Sequence, residues 1–148
     1  MKKSICLTPF FLLFIFFFAF SGCKKYEEGP AFSLRSKKAR VANDWRVAKY
    51  LENGVDFTSD FNFYYQDGKI TLSKSGVYLF TYKLNGTLDQ TESGTWKFNS
   101  DKTELIITET SPGSSTWTWK IIRLKETELK VSETTPSGLV KEFTLLPF

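Results

Sequence analysis

Cys23 follows Ser21 and Gly22 at the end of an unbroken apolar run, Phe10 to Phe20. A thiol in that setting can take a lipid, because two small side chains before it leave room for a peptidase to grip the backbone and cut after Gly22. Elsewhere the reactive inventory is short. The chain has no histidine, and its other cysteine is Cys6. With Cys23 consumed, neither a Ser-His nor a Cys-His nucleophile pair can be built, and the usual zinc ligand sets are missing. Ser73-Lys74 and Ser36-Lys37 are adjacent pairs, and neighbouring side chains on a strand point to opposite faces. Beyond the Ser21-Gly22-Cys23-Lys24 stretch there is no Ser-x-x-Lys, and there is no Gly-rich phosphate loop and no calcium-loop pattern. Two carboxylates suffice for glycoside hydrolysis. Asp56 and Asp60, flanking Phe61-Asn62-Phe63-Tyr64-Tyr65, are the least implausible pair, and a solvated loop explains them better. The expectation is a non-enzymatic protein with no cofactor and no metal.

The apolar run is too short to span a membrane, since a helix rises ~1.5 Å per residue and the hydrocarbon core is ~30 Å thick. Met1-Lys2-Lys3 supplies a basic start, so residues 1–22 read as a secretory signal. Phe20-Ser21-Gly22-Cys23 resembles the lipobox of bacterial lipoproteins. That resemblance implies cleavage between Gly22 and Cys23 and acyl chains such as palmitate on Cys23. Two or more chains anchor stably where one binds only marginally. By the same resemblance Lys24, rather than Asp, favours the outer membrane over the inner one. The expected location is thus the cell envelope, on either face of the outer membrane.

The net charge of +4 does not describe the folded part. Lys2 and Lys3 leave with the signal, and basic residues outnumber acidic ones between 24 and 40, so the remainder is slightly acidic. A nucleic-acid partner needs a basic face on the domain itself, and none is expected here. Lys24 to Arg40 reads as a tether broken at Gly29-Pro30, with a helical turn or two over Ser33 to Ala42 capped by Ser33. The boundaries are then 1–22 for the signal, 23–40 for the lipidated N-terminus and tether, and 41–148 for the domain.

From Trp45 onward, β-rich runs alternate with turn signals. Trp45 to Leu51 ends at Asn53-Gly54, Phe61 to Gln66 at Asp67-Gly68, and Val77 to Leu84 at Asn85-Gly86. Lys69 to Ser73, Gly94 to Asn99, Glu104 to Thr108, Thr116 to Leu124, Glu128 to Ser132 and Leu139 to Leu146 complete about nine short strands. Connections this short cannot carry parallel crossovers, so the sheet is expected to be antiparallel. One face of each strand is apolar, which suits a barrel or a sandwich, and a meander closes most simply as an up-and-down barrel. The fold class is therefore an all-β, small antiparallel barrel of eight or nine strands.

Trp45-Arg46-Val47 with Tyr50 and Asn53-Gly54, the strand Gly94-Thr95-Trp96-Lys97-Phe98, and Trp119-Lys120-Ile121 with Leu124 and Leu129 resemble the lipocalin-like domains of bacterial lipoproteins. The resemblance covers roughly residues 41–148. Eight or so strands enclose a space that holds one small apolar ligand or is filled by side chains. Phe61, Phe63, Tyr65, Trp96, Phe98, Trp117 and Trp119 are the candidate lining, or simply the core. Two partner classes stay open. A small hydrophobic ligand would need a cavity bounded by Trp96 and Trp117. An envelope protein partner would need an exposed aromatic patch near Tyr64, Tyr78, Phe80 and Tyr82.

Overall fold

A computed structural model of the chain describes Tyr26, Glu27 and residues 33–148. Residues 1–22, expected to be a signal and including Gly22, and Cys23, expected to accept lipid, lie outside the described residues. The elements run α1 (Lys37–Val41), β1 (Asn43–Glu52), β2 (Val55–Asp56), α2 (Thr58–Tyr64), β3 (Tyr65–Leu72), β4 (Val77–Leu84), β5 (Leu88–Phe98), β6 (Glu104–Ser111), β7 (Ser115–Leu124), β8 (Leu129–Thr134) and β9 (Val140–Pro147). Each strand pairs antiparallel with the next, and β9 returns to pair with β1 from Trp45↔Pro147 to Glu52↔Lys141. β2 is a short spur on the end of β1, so the closed wall is an eight-strand up-and-down barrel. Closure leaves no long free edge.

Turn chemistry sets the register. Asn53 and Gly54, and again Asn85 and Gly86, take positive φ, the backbone that tight hairpins demand. Asp67-Gly68 carries the same signal and does something else: β3 runs straight through it with a register shift between Gln66 and Lys69. Two expected strands, Phe61 to Gln66 and Lys69 to Ser73, are therefore corrected to one helix and one strand. The physical reason lies in β1. It pairs with β3 only from Asn43 to Trp45 and then veers away at a bulge between Val47 and Lys49. α2 fills the gap, with Phe61 packed on Tyr50, Tyr65 and Phe143. Thr58 accepts the Tyr50 N–H at 2.9 Å, so the unpaired edge of β1 is satisfied from the helix.

One end of the barrel is dry and filled. Val41, Trp45, Leu72, Leu105, Ile107, Leu124, Leu129, Val131 and Leu145 are all essentially inaccessible there. Each such side chain contributes about 1.5–3 kcal/mol by leaving water. α1 closes this end. Its cap is Ser36, whose hydroxyl accepts the Ala39 N–H at 3.1 Å, rather than the expected Ser33. Trp45 Nε1 donates to the Val41 carbonyl at 2.9 Å, and Arg40 Nη1 donates to the Leu124 carbonyl at 2.6 Å. Tyr26 is buried and donates to the Lys102 carbonyl at 2.9 Å, and burial pushes its hydroxyl up to about 12. The segment expected to be a free tether through Arg40 thus joins the barrel floor before it ends.

Candidate ligand-binding site

The opposite end of the barrel is hollow. A cavity of about 540 Å³ opens between the β1–β2 turn, α2 and the inner faces of β3 to β9. That volume falls within the ~300–1,000 Å³ of small-molecule sites. Its walls are mostly aromatic: Tyr50, Phe61, Tyr65, Phe80, Trp117, Trp119 and Phe143 among them. The rings brace one another. Tyr50 stacks on Phe143 with centroids 4.8 Å apart, and Trp119 meets Phe143 at 5.8 Å. Tyr78 stands edge-on to Trp117 at 5.7 Å. Aromatic surface held rigid in this way presents a large apolar area with little rotamer entropy left to lose.

Of the aromatics expected to line a ligand site, Phe61, Tyr65, Trp117 and Trp119 face this cavity together. The other three do not. Trp96 is buried at the filled end, where its Nε1 donates to the Ser73 carbonyl at 3.0 Å. Phe98 packs edge-on against it at 5.6 Å, beside α1. Phe63 points outward from α2 and is 60% exposed, because a helix turns alternate residues to different faces. The cavity is consequently bounded by Trp117 but not by Trp96. Tyr78 and Phe80 are buried inside the barrel and Tyr82 is half-buried, so the outer aromatic patch expected of a partner surface is reduced to Tyr64 at the rim.

The residues that sequence reasoning missed are acidic. Glu52, Glu92, Glu109 and Glu133 line the cavity with Asp60 at its rim, and Lys141 is the cation among the lining residues. Strand parity carries the signal for them. Glu109 shares a side with Leu105 and Ile107, and Glu133 with Leu129 and Val131. Each glutamate takes its hydrogen bonds from neutral donors. Tyr50 donates to Glu52, and Tyr82 donates to Glu92 Oε1 at 3.0 Å. Trp119 Nε1 donates to Glu133 at 3.2 Å, and Ser115 donates to Glu109 at 2.9 Å. Burial lifts the Glu92 carboxyl above its ordinary value, with the neighbouring Glu109 charge adding to the rise and the Tyr82 bond opposing it. Burial and the adjacent carboxylates push the Tyr78 and Tyr50 hydroxyls well up, so both stay protonated.

Asp56 and Asp60 do not act as a pair. Asp56 accepts the Thr58 N–H at 2.9 Å and its hydroxyl at 2.6 Å at the start of α2, which holds its carboxyl below the usual range. Asp60 alone faces the cavity.

A closed eight-strand antiparallel barrel filled at one end and hollow at the other defines the class of up-and-down β-barrel proteins. Residues 41–131 match the family described as the lipocalin-like domain, and the chain belongs to that family. Among solved structures the chain is similar to a lipocalin-like protein from Bacteroides uniformis, with 14% identity over 74% of this chain and 99% of that one and a TM-score of 0.57. It is also similar to an uncharacterized protein from Bacteroides eggerthii, at 13% identity over 72% of this chain and 98% of that one, TM-score 0.47. A third is bovine odorant binding protein complexed with its natural ligand, at 10% identity over 79% of this chain and 76% of that one, TM-score 0.46. No curated protein matches the chain.

Proposed function

We propose that this protein is a non-enzymatic, lipid-anchored member of the cell envelope that binds a small hydrophobic molecule in its aromatic cup. The observation that supports binding is the division of the barrel, in which one half is packed solid while the other leaves about 540 Å³ between aromatic walls. A barrel whose only task was to be stable would gain by filling that half, because empty apolar space forfeits dispersion contacts. Diphenylhexatriene, neutral and fluorescent only when shielded from water, tests the reading. Saturable enhancement with quenching of tryptophan emission is expected, and a probe that stays dark at micromolar protein overturns it.

The anchoring half of the proposal rests on Phe20-Ser21-Gly22-Cys23. Acyl chains on Cys23 would hold the barrel at the outer membrane, where hydrophobic molecules concentrate. A Cys23→Ser protein is expected to leave the membrane fraction. Its undiminished retention there would remove the lipid anchor from the account.

A further inference from the structure

The cup carries far more negative charge than an apolar ligand needs. Among the described residues, its lining holds Glu52, Asp60, Glu92, Glu109 and Glu133 against the one ammonium of Lys141. Register places that lysine directly opposite both Glu52 and Glu133, on the β8–β9–β1 wall. The other wall is different. On β5 and β6, Gly94 pairs with Glu109, so Glu92 and Glu109 stand as diagonal neighbours on the inner face. Tyr82 donates to Glu92 from β4, Tyr78 stands edge-on to Trp117, and both glutamates face the cavity beside them. Two like charges kept close together on a half-buried wall destabilise the empty barrel. Aromatic faces beside them are also electronegative at their centres.

From the charge and the ring faces together, we infer that the cup selects an organic cation, an amine or quaternary ammonium carried on an apolar body, with the cationic head against Glu92 and Glu109 and the body against Trp119, Phe143 and Phe61. This rests on the proposed ligand-binding reading and names the ligand class. The cavity supplies the space, and the charge decides the occupant. An ammonium placed there neutralises the Glu92–Glu109 repulsion, donates any N–H it carries to the two carboxylates, and lies against the Trp117 ring. A fatty acid would bring a further carboxylate into the same wall and meet repulsion from four glutamates.

A matched series decides the matter on the full chain at neutral pH. Phenylbutylamine, its trimethylammonium analogue, phenylbutanol and phenylbutyrate share one hydrocarbon body and differ in head charge. Displacement of diphenylhexatriene is expected at about tenfold lower concentration for the two cations than for the alcohol, with the carboxylate weakest. Glu92→Gln with Glu109→Gln keeps acceptors for Tyr82 and Ser115, and is expected to shrink the preference for the cations over phenylbutanol about tenfold. Equal displacement by all four, or a preference for the carboxylate, overturns the cation inference and leaves the cup a binding site. Failure of the reporter itself to bind overturns both. The wild-type series is decisive even where a variant folds poorly.

Discussion

Tyr82 and Glu92 are joined across the inner wall by a hydrogen bond of 3.0 Å, hydroxyl to carboxylate. The bond stabilises the charged carboxylate, yet burial outweighs it and the Glu92 carboxyl sits above its ordinary value. A raised carboxyl binds its proton more tightly in the folded state than in the unfolded one. Its contribution to stability is therefore full below pH 4.5 and is lost as pH rises through the folded value. At neutral pH the ionised Glu92 works against the fold. Glu92→Gln is expected to raise Tm at pH 7, with the gap from wild type closing on acidification to pH 4. Thermal melts at both pH values check this, and a Tm that falls at pH 7 would contradict it.

The same carboxylates govern binding in the opposite direction. Acidification protonates Glu92, whose carboxyl burial holds above its ordinary value, and so removes negative charge from the cup. Affinity for the trimethylammonium probe, whose own charge does not titrate, is expected to fall about tenfold between pH 7 and pH 4. Phenylbutanol affinity should stay level. Fluorescence titration of both ligands across that range separates loss of charge from loss of fold.

At the filled end, the Arg40 guanidinium reaches the Leu124 carbonyl in a buried contact 84 residues apart in sequence. That bond fastens α1 to the strand whose last carbonyl would otherwise face apolar side chains. Arg40→Met keeps the apolar stem and deletes the donor. A loss of about 2 kcal/mol is expected, the cost of orphaning a buried acceptor of a charged bond. Arg40→Lys should recover little of it, because one ammonium cannot reproduce the planar fork. Urea denaturation measures both, and a neutral Arg40→Met would show α1 to be an ornament.

Gly94 is where β5 and β6 slip register, with Thr110 as the extra residue. A methyl group on Gly94 would stand 2.0 Å from the Thr108 carbonyl oxygen and 2.8 Å from the Glu109 Cα. Both are backbone atoms that cannot step aside. Gly94→Ala is expected to cost about 3 kcal/mol in urea unfolding. Gly113→Ala is the control, since its nearest new contact is 3.8 Å away at a Glu109 side-chain oxygen, and it should stay within about 0.5 kcal/mol.

The strands were legible because each alternates about a single wet face and a single dry one. Leu105 and Ile107, or Leu129 and Val131, announce the interior unaided. α2 was not, because Phe61, Phe63 and Tyr65 also alternate, and seven residues are too few to establish a helical period. Asp67-Gly68 has the composition of a hairpin turn and the geometry of a bulge, a difference that depends on where β1 departs from β3. The inward glutamates were hidden by attention to apolar residues alone. Parity with Ile107 and Val131 points Glu109 and Glu133 inside, and only the closed barrel shows that they share one space.

Trp96 and Trp117 test that division of the barrel directly. In an up-and-down meander alternate turns gather at alternate ends, so distance from a turn says which end a side chain occupies. Trp117 stands two residues into β7, beside the mouth, whereas Trp96 stands two residues before the end of β5, beside the floor. Trp96 is 4% exposed and tied to Ser73, while Trp117 faces the cavity. Trp96→Ala is therefore expected to cost about 3–5 kcal/mol, the range for deleting a large aromatic from a packed core. Where the variant still folds, its affinity for diphenylhexatriene should match wild type. Trp117→Ala loses the edge contact with Tyr78 and part of its packing on the core, should cost less than Trp96→Ala, and should weaken the probe at least about tenfold. Paired urea melts and probe titrations on the two variants read both quantities. If the costs were reversed, with binding lost at Trp96 and stability at Trp117, the filled and hollow halves would have been assigned to the wrong ends.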